Sequence, residues 1–185
     1  MKPLLFGALL LLGACHRGAA NMDDFGAVPE FRLTDSAGRP FDSKSLAGKV
    51  WVADFFFTRC GSICPMMTAH MHHLQQALAD VSNLRLVSFT IDPWRDTPAA
   101  LARYAAIYHA SPDRWHFLTG PQPTLQHLDR DVFRLGDVDG SLNHSPRFVL
   151  VDANGHIRGY YDTTEQDSIP KIIADARALA GERSL

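Results

Sequence analysis

Cys60 and Cys64 stand four residues apart in "FFFTRCGSICPMMTAHMHHL", after an aromatic run and before a stretch of helical periodicity. Two thiols at that spacing suit three chemistries: disulfide exchange, coordination of a soft metal ion, or a structural disulfide. The start of a helix carries unpaired N–H groups and a partial positive charge, which stabilise a thiolate and lower its pKa. The thiolate is both the nucleophile of exchange and the metal ligand, so placement alone leaves those two uses open. Dithiol oxidoreductases typically carry two residues between their cysteines, whereas Gly61, Ser62 and Ile63 intervene here. The longer loop leaves the sulfurs freer to sit apart, as two ligands around one ion must. A purely structural staple is the least favoured use, because the entropy gained by closing so short a loop is small.

Eighty residues beyond Cys64, His144 in "LNHSPRFVLVD" immediately precedes an apolar run. Whether it can join the sulfurs depends on the elements around it. Val50 to Phe57, broken only by Asp54, suits a strand buried on both faces. Met67, Met71, Leu74 and Leu78 then recur at helical spacing, predicting an amphipathic helix from Pro65 to about Asp80. "LRLVSFTID" reads as a second buried strand, and Thr97-Pro98 as the capped start of a helix ending near Ala110. "WHFLTG" predicts a short strand and "QPTLQHLDRDVFRL" another helix. Asn154-Gly155 marks a hairpin within "RFVLVDANGHIRGYYD", and "SIPKIIADARALAG" closes the chain as a helix. A hairpin around Asp35-Ser36-Ala37-Gly38 precedes all of these.

This order predicts an α/β chain of thioredoxin-like fold: a central mixed sheet flanked by helices, with an N-terminal β-hairpin. The dithiol falls at a strand-to-helix junction. In such a fold the loop before the His144 strand lies beside the dithiol, and a histidine there would complete a trigonal S,S,N site. Two thiolates and an imidazole suit Cu(I), whereas a closed structural zinc site normally takes four protein ligands.

The remaining chain bounds the setting. A length of 185 residues gives one domain with a short appendage, and 46% hydrophobic content allows a full core. Net charge is -2 and no basic run is present, which argues against a nucleic-acid partner. Residues 1–14 read as an export signal: Lys2, then an apolar stretch from Pro3 to Leu12 too short to span a bilayer, then Gly13-Ala14. "LGAC" resembles the lipobox of bacterial lipoproteins, which implies that Cys15 becomes the lipidated first residue. Residues 15–27 form a tether and 28–182 the domain. With Cys15 carrying lipid, Cys60 and Cys64 remain as a pair.

Three segments together resemble the SCO/SenC family, the thioredoxin-fold copper proteins of cytochrome c oxidase assembly. "FFFTRCGSICP" resembles its F-T-x-C-x-x-x-C-P segment, "TIDPWRDTP" its D-P-x-R-D-T-P signature, and "NHSPRFVLVDANG" its histidine, strand and D-x-x-G turn. The resemblance covers roughly Val28 to Ala180. It implies copper bound by Cys60, Cys64 and His144, as Cu(I) or Cu(II), and delivered to the CuA centre of the oxidase. It also implies an oxidase subunit or another copper or thiol protein as partner, while the export signal and the lipobox tetrad imply a cell-envelope location facing the periplasm or exterior and a lipid-anchored membrane association. Some bacterial members act on thiols instead, so an envelope thiol-disulfide oxidoreductase with Cys60 as nucleophile and Cys64 resolving is the alternative. Gly61 stands where a proline is common in the family. Pro146 sits where thioredoxins place a cis-proline, which leans towards thiol exchange.

Three further features invite readings. Asp92 and Asp96 flank Arg95; they either tune the site or form a turn in which Asp96 or Thr97 caps the next helix. Asp54 would be costly if charged and unpaired, and is either a proton relay or a hydrogen-bonded core residue. Met66, His70 and His73 share one helix face, as an auxiliary metal site or simply as solvated side chains.

Overall fold

The computed structural model describes residues 22–136, 138–142 and 145–181. Cys15, His144, the export signal and most of the tether lie outside the described residues. Strand β1 (Arg32–Asp35) and β2 (Pro40–Asp42) form the N-terminal hairpin. There follow β3 (Val50–Phe56), α1 (Cys64–Ala77), β4 (Leu84–Thr90), α2 (Pro98–Ile107) and β5 (Trp115–Thr119). Helix α3 (Gln122–Gln126), the hairpin β6 (Arg147–Val151) and β7 (Ile157–Asp162), and helix α4 (Ser168–Gly181) complete the chain.

The seven strands lie in the order β2-β1-β5-β4-β3-β6-β7. Strands β3, β4 and β5 pair parallel, and the remaining pairings are antiparallel. Strand β5, the "WHFLT" segment, pairs with β4 and joins the N-terminal hairpin to the sheet through β1. The arrangement is the expected thioredoxin-like mixed sheet.

All seven residues of β3 are buried, and period-2 alternation divides them between two cores. Val50, Val52 and Phe56 pack with residues of α1, α2 and α4, while Trp51, Ala53 and Phe55 pack towards Leu125, Leu128 and Phe133. Asp54, in step with Val52 and Phe56, therefore points to the α1 side. Met67, Met71, Leu74 and Leu78 are fully buried there. Each stabilises the fold by roughly 1.5–3 kcal/mol relative to exposure, and together they fix the helix that carries Cys64. Gly155 at φ +82° makes the turn between β6 and β7, where Asp152 Oδ1 accepts the N–H groups of Asn154 and His156.

One element departs from expectation. "QPTLQHLDRDVFRL" does not form a single α-helix, because α3 passes into a π-helical turn over His127–Val132. The Phe133 N–H donates to the Leu128 carbonyl at 2.8 Å, across five residues. An α-helix would place Leu128 and Phe133 about 140° apart at 100° per residue. The wider turn brings both into the same core. Among the described residues no peptide bond is cis, so Pro146 does not reproduce the thioredoxin cis-proline. None of their helices is long and apolar enough to cross a membrane.

Candidate dithiol metal site

Strands β3 and β4 end on the same margin of the sheet, the position where parallel α/β sheets place their sites. The chain leaves β3 through Phe57, Thr58 and Arg59 and reaches Cys60, whose N–H donates to the Phe57 carbonyl at 3.2 Å. It then enters α1 at Cys64. Ile63, the residue that precedes the helix, offers no side-chain oxygen to the exposed N–H groups, and Pro65 removes one of them. The Cys60 sulfur takes that place: it accepts the Cys64 N–H at 3.4 Å and lies 3.4 Å from Ser62 Oγ.

Cys60 and Cys64 are both thiols rather than a disulfide, and their environments differ. Cys64 is fully buried, while Cys60 is half-buried. Burial opposes ionisation of Cys60, but hydrogen bonds from Ser62 and Cys64 outweigh it and bring the thiol down to about 6. Burial, then the hydrogen bond to Cys60, pushes the Cys64 thiol well above the usual range. The pair is thus a thiolate facing outward and a thiol held behind it. In the reduced protein, iodoacetamide is expected to modify Cys60 with a rate half-maximal near pH 6 and to leave Cys64 intact. Ser62→Ala should shift that midpoint upward. An unshifted midpoint near the ordinary thiol value would contradict this environment.

Asp54 is fully buried on β3, with one carboxyl oxygen lacking a hydrogen-bond partner. Burial raises its pKa to about 7 against a small opposing effect of Ser88. Its charge also contributes to holding up the Cys64 thiol. Behind Cys64, Thr68 Oγ1 donates to the Cys64 carbonyl at 2.8 Å and lies 2.8 Å from the Tyr104 hydroxyl.

The "DPWRDTP" loop after β4 holds the other side. Thr97 caps α2 through the Ala100 N–H, as the turn reading expects. Asp96 does something different. Its carboxylate, with no exposed surface, accepts the Thr58 N–H at 3.1 Å and the hydroxyls of Thr58 at 2.5 Å and Thr90 at 2.6 Å. It clamps the approach to Cys60 onto the end of β4. Asp92 meanwhile receives Arg95 Nη1 at 3.1 Å. The start of β6, antiparallel to β3, comes to the same margin of the sheet. His144, three residues earlier, lies outside the described residues.

The sequence matches the SCO1/SenC family profile over residues 20–181. The chain belongs to that family. It is 34% identical over 184 residues to the SCO1 protein homolog of Bacillus subtilis (strain 168), covering 95% of each chain. A SCO1/SenC family lipoprotein from Bacillus anthracis str. Ames superimposes with a TM-score of 0.76 at 33% identity, covering 83% of this chain and 95% of its own. BsSco, described as a member of the Sco family of cytochrome c oxidase assembly proteins and as containing a disulfide switch, gives 0.76 at 33%, covering 88% and 98%. Yeast Sco1 with copper bound gives 0.66 at 25%, covering 83% and 90%.

Within this SCO1/SenC domain, Met66 is exposed on α1 and burial followed by the charge of His73 lowers the pKa of His70. Among the described residues no group of three or more His, Cys, Asp or Glu side chains is placed to hold a metal.

Proposed function

We propose that this protein is a copper-binding metallochaperone of cytochrome c oxidase assembly, delivering copper to the CuA site, with Cys60, Cys64 and His144 as the ligands. The observation that carries the reading is the asymmetric pair at the start of α1, a half-buried Cys60 thiolate beside a buried Cys64 thiol. The donor chemistry fits: two sulfurs from one short loop suit a soft ion, and a bound cation favours loss of the Cys64 proton that burial opposes. Exposure of Cys60 allows one sulfur to leave the ion while a partner's sulfur takes its place. For His144, support comes from the arrival of β6 at the dithiol end of the sheet. The copper-bound yeast relative and the oxidase-assembly description of BsSco support the cargo and the pathway.

A lipid on Cys15 would hold the domain at the envelope membrane, facing the periplasm or exterior. The "LGAC" tetrad and the lipoprotein from Bacillus anthracis support that placement.

The deciding experiment is a Cu(I) titration of the reduced protein against a competing chelator. Tight binding is expected in the wild type and its loss in both Cys60→Ser and His144→Ala. Undiminished affinity in His144→Ala would remove the imidazole from the site.

The same asymmetry supports a second reading, thiol-disulfide exchange. Cys60 would attack a partner disulfide and release one partner thiolate; Cys64, giving up its proton, would then displace the second. The partner disulfide is reduced and the Cys60–Cys64 pair oxidised. Disulfide reductase activity retained in His144→Ala, with no tight copper binding in the wild type, would favour this reading.

A further inference from the structure

On the segment that leads to Cys60 lies an open cleft of 260 Å³ whose lining includes Thr58, Arg59, Arg95, Arg103, Tyr104 and Ile107. Three arginines line it from three segments: the approach to Cys60, the loop after β4, and α2. Arg95 is committed to Asp92, yet more than half of its side chain is exposed. The described residues provide no carboxylate partner for Arg59 or Arg103. Asp96, the nearest acid in sequence to Arg95, is buried and spent on Thr58 and Thr90. The cleft therefore carries uncompensated positive charge on a chain whose net charge is -2. Its wall is partly apolar, since Ile107 is 69% exposed.

The cleft also connects to the backbone of the cysteine loop. Tyr104 forms part of its wall, contacts Thr68 through its hydroxyl, and through Thr68 reaches the first turn of α1 at the Cys64 carbonyl. Arg59 is the residue before Cys60.

We propose that this cleft is the docking site for an acidic segment of the partner protein, one that carries carboxylates flanking an apolar side chain. Paired to Arg59 and Arg103, the carboxylates hold the segment, and the apolar residue covers Ile107. A cysteine adjoining that segment then lies over the Cys60 sulfur. The inference rests on the reading of Cys60 as the sulfur that meets the partner, and it holds whether metal or electrons are exchanged there. Guanidinium–carboxylate pairs give orientation as well as attraction, which a ligand exchange between two proteins requires.

The test uses the metal-free protein carrying Cys60→Ser and Cys64→Ser, so that neither copper nor disulfide formation contributes. The probe is a fluorescent octapeptide with four glutamates around a leucine, read by anisotropy at fixed ionic strength. The control is the same peptide with glutamines. Saturable binding of the acidic peptide is expected, weakened about tenfold by Arg103→Gln or Arg59→Gln. It should be unchanged by Arg32→Gln, an exposed arginine on β1. Equal binding of the glutamine peptide, equal weakening by Arg32→Gln, or absence of saturable binding would each overturn the proposal. Cu(I) affinity is measured separately on Arg103→Gln and should match the wild type. Failure of the peptide assay with intact copper binding thus removes the docking site alone, whereas failure of copper binding removes the carrier function alone.

Discussion

Asp96→Ala is expected to lower stability by about 3–5 kcal/mol, a far larger loss than its place in a surface-facing turn suggests. The carboxylate is fully buried and receives three hydrogen bonds, two from Thr58 and one from Thr90. A hydrogen bond to a charged group contributes about 1.5–3 kcal/mol, and truncation leaves each buried donor without an acceptor. The loss stays below the sum of three such bonds because the two hydroxyls can rotate and water can enter. Asp96→Asn keeps the volume but turns one acceptor oxygen into a donor, so it should lose about half as much. Thr97→Ala next door removes only a helix cap and should cost about 1 kcal/mol. Urea unfolding of the three variants checks this order. Asp96→Ala losing no more than Thr97→Ala would show that the clamp is not formed.

Asp54→Asn is expected to act in the opposite direction, stabilising the protein at pH 8 by up to about 4 kcal/mol and less as the pH falls towards 4. The sign follows from proton numbers. Above 3.8 the unfolded carboxyl gives up its proton, while burial keeps the folded one protonated to about 7. The folded state binds more protons in that window, so the wild type loses stability as pH rises through it and levels off above 7. Each unit of difference corresponds to about 1.4 kcal/mol. His116 complicates the raw profile, since burial and then Arg85 hold its pKa down to about 4, which costs stability as pH falls below 6.5. The difference between wild type and variant cancels that contribution. A constant difference between pH 5 and pH 8 would mean that Asp54 is not held neutral by the fold.

Much of the architecture is legible in the sequence because the cues are local. Alternation and a run of apolar residues reveal β3, a period of 3.6 reveals α1, and Asn154-Gly155 reveals the last hairpin. The π-helical turn is hidden, since what selects it is the demand of one core for both Leu128 and Phe133. Cys60 and Cys64 are legible from spacing and from their place at a helix start, but their division into thiolate and thiol depends on burial and on Ser62. Asp54 could be recognised as buried from the residues around it, though not how far its proton is held. Asp96 is the instructive case. Beside Thr97-Pro98 it looks like a cap, and its actual partner is 38 residues away in sequence. The three arginines of the cleft are likewise scattered, and only the packing of α2 against the end of β3 gathers them.

The hairpin at the far side of the sheet bears on how the molecule resists aggregation. Strand β2 ends the sheet, is three residues long and begins with Pro40. So short a border, opening on a residue with no amide hydrogen, gives a foreign chain little to zip onto. Lengthening it and replacing the proline would remove a built-in guard against aggregation.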